Sequence, residues 1–320
     1  MLTTYRPGYC SPDDIEIREV PSPVVGADEI LVRVHASSVN RTDLGVLRGK
    51  PFVFRYFAGF PTPRHHATGT DFAGVVELTG PRVTEFRPGD RVYGFDDTGL
   101  GTHAQYVTLT RRTAVLRIPE GFDFSEAVGM TEGAFYAVNF VNRVDVGNGS
   151  RVLVIGGTGA IGSASIQILT ARGAHVDAVA PIAHAELVRS LGAHTVFDSA
   201  TSDFLVPGEP YDVVFDSVGK SRFADCRPLL TDDGAYLSSE LGPKGENLFL
   251  PVLTRARGGP RVDFPIPRNV RNSLVSVRRL AELGQFRAVI DRTYSLDQVR
   301  EAFEYVESGQ KIGTVVLDLS

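Results

Sequence analysis

The segment Val152-Leu-Val-Ile-Gly-Gly-Thr-Gly-Ala-Ile-Gly162 constrains this chain more than any other. A β-branched apolar run ends in glycines and passes into Ala- and Ile-rich residues. That is the pattern of a buried strand, a tight turn and the first turn of a helix. Gly157, Gly159 and Gly162 have the G-x-G-x-x-G spacing of a dinucleotide-binding turn. In this reading Gly157 allows the bend, Gly159 lets the backbone approach a pyrophosphate, and Gly162 lets the helix sit against the strand. The backbone from Thr158 through Ala160 and Ile161 then offers amides to the phosphates at the helix N-terminus. Ordinary strand–helix connections use the same triplet, so its weight depends on its neighbours.

Those neighbours alternate. Strands are expected at residues 152–155, 175–179, 195–197, 212–215 and 235–238. Helices are expected at 160–172 and 184–191, closed by Gly173 and Gly192 as left-handed caps. Ser125 is expected to cap a helix over 126–141. Repeated βαβ units imply a parallel sheet covered on both faces. The first third reads instead as short strands with Pro and Gly punctuation, such as Ile30–His35 and Ala104–Leu109, which suggests a small barrel or sandwich. Residues 48–68 lack periodicity and read as a long loop. In the tail, 271–284 reads as a helix, and Ser295-Leu-Asp-Gln298 is a capping box before a helix to Glu307. A last strand at 313–319 suggests a return to the first domain.

A chain of 320 residues favours two domains. The net charge of -5 leaves no electrostatic footprint for nucleic acid or an anionic membrane. No apolar run approaches the ~20 residues of a membrane span, and Met1–Pro7 has no apolar signal-peptide core. Two cysteines, Cys10 and Cys226, exclude a disulfide scaffold, and a cytoplasmic setting is expected.

Several phrases then line up in order: Asn40-Arg-Thr-Asp43, Gly69-Thr-Asp-Phe-Ala-Gly-Val-Val76, Phe86-Arg-Pro-Gly-Asp-Arg-Val-Tyr-Gly94, the glycine turn, Leu191-Gly-Ala193, Tyr211-Asp-Val-Val-Phe-Asp-Ser-Val-Gly219 and Lys311-Ile-Gly-Thr-Val-Val316. Over nearly its whole length the chain resembles the medium-chain dehydrogenase/reductase superfamily, most of all its zinc-free, quinone-oxidoreductase-like branch. The resemblance implies an α/β architecture: a GroES-like β-barrel catalytic domain from residues 1–120 and 261–320, and a Rossmann cofactor domain at 121–260. It implies an active site in the cleft between them and a homodimer.

It also implies which residues do the chemistry. Zinc-dependent relatives hold the metal with Cys, a His-Glu step and a second Cys; the matching positions here read Asn40, Thr70-Asp71 and Val128-Gly-Met130. Thiolate and imidazole are gone together, so no metal is expected. His65-His66 lacks an accompanying acid or thiol cluster and reads as a loop feature. Asn40 is then the first active-site candidate, beside the nicotinamide. Asp43 orients its loop, Thr70 offers a hydroxyl to substrate, and Tyr56 and Tyr136 are possible proton donors. Glu132 departs from the family pattern; facing the cleft, it would be an acid/base group, and facing solvent an ordinary helix residue.

For the cofactor, the resemblance adds Ser217, Val218 and Gly219 at the adenosine half, Ser239 at the nicotinamide and Lys311 near the C-terminus. The end of the second strand reads Ala180-Pro181-Ile182-Ala183-His184, without the acid that binds a ribose 2′-OH or the Ser, Lys or Arg that binds a 2′-phosphate. Pro181 and His184 are the contacts left there, and Asp177 lies too early in its strand. Family habit puts NADPH ahead and leaves NADH open. The expected activity is hydride transfer to an enone, quinone or carbonyl compound. The departures at Ala134 and Glu132 keep two alternatives open: a redox-silent lyase, isomerase or cyclase, or a nucleotide-binding protein without turnover.

Overall fold

The computed structural model describes residues 1–320, the side chain of Val53 excepted. Contacts divide the chain into two units. The first comprises Met1–Glu132, Val270–Val275 and Ala288–Ser320; the second comprises Gly133–Asn269 and Ser276–Arg287.

The first unit is built on the long strand Glu29–Val39. One side of it pairs with Asp71–Thr79. The other pairs with Thr314–Asp318 at Ala36–Val39 and with Tyr106–Thr110 at Glu29–Arg33. Beyond them lie Arg91–Phe95 and Ala114–Arg117 on one edge and Ile290–Ser295 on the other. One strand thus serves three partners, which curls the sheet around an apolar interior. Val32, Val34, Phe72, Val92, Val115, Phe303 and Val315 fill that interior. The capping box at Ser295 and Gln298 forms, and a 3-10 turn leads into the helix Val299–Glu307, which packs Phe303 into this core. Residues 48–68 hold a short helix, Val53–Ala58, that their irregular pattern concealed.

The second unit is a six-stranded parallel sheet. Its strands lie in the order Val196–Asp198, His175–Ala180, Arg151–Ile155, Tyr211–Asp216, Leu230–Ser238, Arg261–Asp263. Numbered along the chain this is 3-2-1-4-5-6, the order of a doubly wound dinucleotide fold. The order reverses between Arg151–Ile155 and Tyr211–Asp216, and the glycine turn follows the first of these. The helices Ala160–Ala171 and Ala185–Ser190 are close to expectation. Gly173 and Gly192 end them with φ of 83° and 113°. The three-residue sixth strand, Arg261–Asp263, was too short to show any period.

The helix expected from Ser125 is two helices. Asp123, not Ser125, caps Phe124–Val128, and Glu126 returns the capping bond. The chain breaks at Gly129, where an added Cβ would stand 2.5 Å from Ala288 Cβ, and a second helix runs over Glu132–Val141.

Candidate active site

The glycine turn in the second unit is built by close backbone approach. Gly156, not Gly157, makes the sharp bend, with φ of 89°. A Cβ on Gly162 would lie 2.1 Å from Gly156 O, so only glycine lets the helix start there. A Cβ on Gly159 would meet nothing nearer than 3.5 Å. Gly159 is the N-cap and brings no side chain to the helix end. Gly159 N–H donates to Gly156 O at 3.0 Å and the first intrahelical bond is Ser163 N–H to Gly159 O at 2.8 Å, which leaves the amides of Ala160, Ile161 and Gly162 for an anion. This open, glycine-lined helix end fits a dinucleotide pyrophosphate.

The adjoining loop is tied down by Asp216, which is fully buried. Its carboxylate accepts the N–H groups of Val218 (3.0 Å), Gly219 (2.8 Å) and Ser221 (2.8 Å) and the Ser221 hydroxyl (2.7 Å). Ser217 Oγ donates to Ile155 O at 2.8 Å, holding the loop against the end of the glycine-bearing strand. Ser239 N–H donates to Asp216 O at 3.0 Å. Thr158, Ala160, Ile161, Ser217, Val218, Gly219 and Ser239 therefore belong to strand-end loops or the helix start of one sheet. Pro181 and Ile182 are exposed beyond Ala180, and His184 is half-buried. Asp177 is occupied elsewhere: Tyr211 Oη donates to it at 2.9 Å and Thr195 N–H at 3.1 Å, with Arg151 at 3.5 Å and His175 at 3.4 Å. Tyr136 also belongs to this unit, packed against Phe135 and Phe140.

The first unit holds a buried polar cluster. Asn40 caps the helix Arg41–Arg48 and forms a capping box with Asp43. Its Oδ1 accepts Asp43 N–H at 2.8 Å, and its amide donates to Ser38 Oγ at 3.1 Å and Thr70 Oγ1 at 3.0 Å. Both amide protons are thus in use, and Thr70, which accepts one, keeps its own proton to give. Asp71 accepts from Ser38 N (2.6 Å), Ser38 Oγ (2.6 Å) and Thr131 Oγ1 (2.7 Å). Burial raises its pKa and those bonds oppose the rise. Thr42 Oγ1 donates to Glu132 Oε1 at 3.0 Å. Glu132 is buried, not solvent-facing. Burial raises its pKa, while Lys311, then Thr42, work against that. Lys311 donates to Gly313 O at 2.6 Å, and desolvation lowers its pKa against the pull of Glu132.

His103 lies beneath the cluster, fully buried. It faces Ser38 O through Nε2 (2.8 Å) and Thr68 Oγ1 through Nδ1 (2.7 Å). A carbonyl only accepts, so Nε2 carries the proton and Nδ1 accepts from Thr68. Burial brings its pKa down to about 4. An unfolded His103 takes a proton below its ordinary 6.5, while the folded one stays neutral to about 4. Its contribution is therefore full above pH 6.5 and is lost as pH falls toward 4, about 3 kcal/mol in all. Denaturant titrations at pH 7 and pH 4.5 should show the wild type losing about 2–3 kcal/mol more than His103→Gln. Equal losses would refute the assignment.

Ser38, Thr131, His103 and Gly156 were not legible as site residues. Ser38 and Thr131 reach Asp71, and His103 reaches Ser38 O, only through strand register and loop closure, and no spacing announces them. Gly156 had a signal, the Gly-Gly pair, but the G-x-G-x-x-G template starts one residue later. His65 and His66 diverge: His66 stacks on Tyr5 and pairs through Nδ1 with Arg6 O (2.8 Å), while His65 is exposed. Tyr56 is 78% exposed. Cys10 and Cys226 are free thiols. Among the described residues no three His, Cys, Asp or Glu side chains group in a way that holds a metal ion, and no helix is long and apolar enough to cross a membrane.

Residues 26–120 match the family model of the alcohol dehydrogenase GroES-like domain, and residues 191–317 match a zinc-binding dehydrogenase model. A trans-enoyl reductase of Aspergillus terreus is 30% identical over 322 residues, covering 92% of this chain and 87% of that protein. The chain belongs to the medium-chain dehydrogenase/reductase superfamily. It is an oxidoreductase of the medium-chain type. An NADPH-dependent alkenal/one oxidoreductase of Arabidopsis thaliana is 28% identical over 306 residues, covering 92% of this chain and 73% of the relative. The solved quinone oxidoreductase of Coxiella burnetii shares the fold, with a TM-score of 0.87 at 24% identity over 99% of both chains. The GroES-like unit and the Rossmann-type sheet are thus those that the sequence motifs implied.

Proposed function

We propose that this oxidoreductase reduces the conjugated C=C bond of an enone or alkenal with NADPH, without zinc. The observation that carries the reading is the cluster at Asn40 and Thr70. Where metal-dependent relatives supply thiolate and imidazole, this chain sets an amide and a hydroxyl, both already hydrogen-bonded to each other (3.0 Å). Hydrogen bonds polarise a carbonyl less than a Lewis acid does. A conjugated acceptor needs less, because charge arriving at the β-carbon spreads to the oxygen. The relatives' own substrates support the same choice.

Bound NADPH supplies the hydride. The protein's part is to hold the pyrophosphate on the helix amides that follow Gly159, and to fix Thr70 through Asn40 so that its hydroxyl donates to the substrate oxygen. Preference for NADPH over NADH rests on the Arabidopsis relative, with the His184 imidazole the remaining polar side chain near the strand end. Incubation with NADPH and a panel of enones, alkenals and quinones should consume cofactor and yield the saturated or hydroquinone product. No consumption with any of them would refute the proposal. A second reading draws on buried Glu132 and its bond to Thr42: proton transfer without redox change on the same scaffold. It expects cofactor-independent exchange of a substrate α-proton, abolished by Glu132→Gln.

A further inference from the structure

Asp43 has a carboxyl oxygen that capping does not use. The residue is 2% exposed, and Oδ2 accepts the Asn40 N–H at 3.1 Å. Oδ1 is buried and has no hydrogen-bond partner among the described residues. Asp43 borders a small pocket of about 10 Å³, room for about one water, whose walls include Arg6, Val46, His65, Thr68 and Thr98. His65 is exposed and Thr98 half-buried, while Arg6, Val46 and Asp43 are buried, so the pocket leads from the surface down to the carboxyl. Arg6 spends its guanidinium on backbone carbonyls, at 2.6 Å to Val46 O and 3.1 Å to His65 O. Asn40, the cap of the same helix, donates to Thr70 Oγ1 at 3.0 Å, and the Thr70 hydroxyl is close enough to act on the Asp43 carboxyl.

A buried carboxylate oxygen without a donor is costly, whereas a neutral carboxyl can turn an O–H into a polar, water-sized space. The surroundings favour that neutral form. Burial, with the charges of Asp71 and Glu132, holds Asp43 well above the usual carboxylate range, and the Asn40 N–H and the nearby Thr70 hydroxyl only partly oppose this. Arg6 and His65 face the group from the pocket side.

We propose that Asp43 and its pocket form the proton entry of the reductase, passing solvent protons to the Thr70 hydroxyl. The inference rests on the functional reading above, in which Thr70 meets the substrate oxygen. Hydride adds to the β-carbon and the C=C electron pair moves into an enolate. Thr70 gives its proton to the enolate oxygen and takes one from Asp43, and the enol becomes the saturated carbonyl by losing its O–H proton and gaining one at the α-carbon, with no further net uptake. The Asp43 carboxylate recovers a proton from water in the pocket. Each turnover then consumes one hydride and one solvent proton, which balances reduction of one C=C bond. Asp43 touches neither substrate nor cofactor in this scheme; it is a positioning residue that acts through Thr70.

Asp43→Asn keeps an oxygen for the Asn40 N–H but carries no transferable proton, and Asp43→Glu keeps both the proton and the capping box. With an enone that the wild type reduces, D43N should turn over at least about 100-fold more slowly, in the range of lost acid–base catalysis. It should also show a larger solvent deuterium isotope effect, and D43E should recover most of the rate. In infrared difference spectra without substrate, the carbonyl stretch of a protonated carboxyl should be present in the wild type and absent from D43N. A D43N enzyme with wild-type rate and isotope effect, or with the band unchanged, overturns the proton entry alone. Equal loss in D43N and D43E also overturns it, because that is the result of a structural role. If D43N does not fold, the wild-type pH profile decides. A rate that falls as Asp43 ionises above the usual carboxylate range supports the relay, and a flat profile overturns it. A wild type that reduces no enone overturns the functional reading itself.

Discussion

Asp216→Ala is expected to loosen the strand-end loop of the second unit and to abolish measurable NADPH binding. Six donors converge on this one buried carboxylate: four amides and the Ser221 and Tyr236 hydroxyls. Alanine leaves the four amides without this acceptor, and each buried donor left unpaired costs about 1–3 kcal/mol. The loss should reach at least about 4 kcal/mol, a large share of the 5–15 kcal/mol that holds a typical domain together. Asp216→Asn, which keeps one carbonyl oxygen, should lie between the alanine variant and the wild type. Denaturant unfolding and a fluorescence titration with NADPH test both points. An alanine variant within about 1 kcal/mol of wild type would show that the loop does not depend on this residue.

The glycine turn separates stability from binding. Gly162→Ala places a methyl 2.1 Å from Gly156 O and 2.8 Å from Gly156 C. Both are backbone atoms, so no rotamer change relieves the clash. The cost should be at or above the upper end of overpacking, about 3 kcal/mol, with NADPH binding lost alongside. Gly159→Ala has 3.5 Å of clearance and φ of -69°, so the protein should fold as the wild type does. Its methyl would nevertheless stand where the phosphates must approach. Its NADPH affinity should fall by about 10-fold or more while the unfolding midpoint stays within about 2 °C. Unchanged affinity in G159A would move the pyrophosphate elsewhere.

Much of this was legible because it depends on local pattern. Five of the six strands of the parallel sheet show as apolar runs near Gly, Pro or Asp, and glycine ends the helices between them. Where the reading failed, a neighbour outside the local window decided. Asp123 took the cap from Ser125 because it lies three residues before Glu126, which answers it. The Gly129 break is set by Ala288, more than a hundred residues away. At the candidate site the sequence offered Asn40, Thr70, Asp43 and Glu132 as separate points. It did not reveal that Asn40 has no free amide proton, because that needs Ser38 and Thr70 brought together by the pairing of Glu29–Val39 with Asp71–Thr79. Lys311, expected at the cofactor, is held by Gly313 O at 2.6 Å, a bond that leaves two of its three protons.

The strand Glu29–Val39 has a further consequence, for the order in which the protein is made. Its partner Thr314–Asp318 pairs Val39 with Val315 and Ala36 with Asp318. That edge stays open on the ribosome until Thr314–Asp318 has emerged. All six strands of the parallel sheet have left the tunnel by then, so the second unit can fold as a near-continuous insert while the first still waits. Pairings this distant along the chain are slow to form, and the exposed edge at Ala36–Val39 is a template for other chains in the meantime. Nascent chains stalled before Ile290 should therefore protect Arg151–Ile155 from proteolysis and leave Ala36–Val39 open to cleavage.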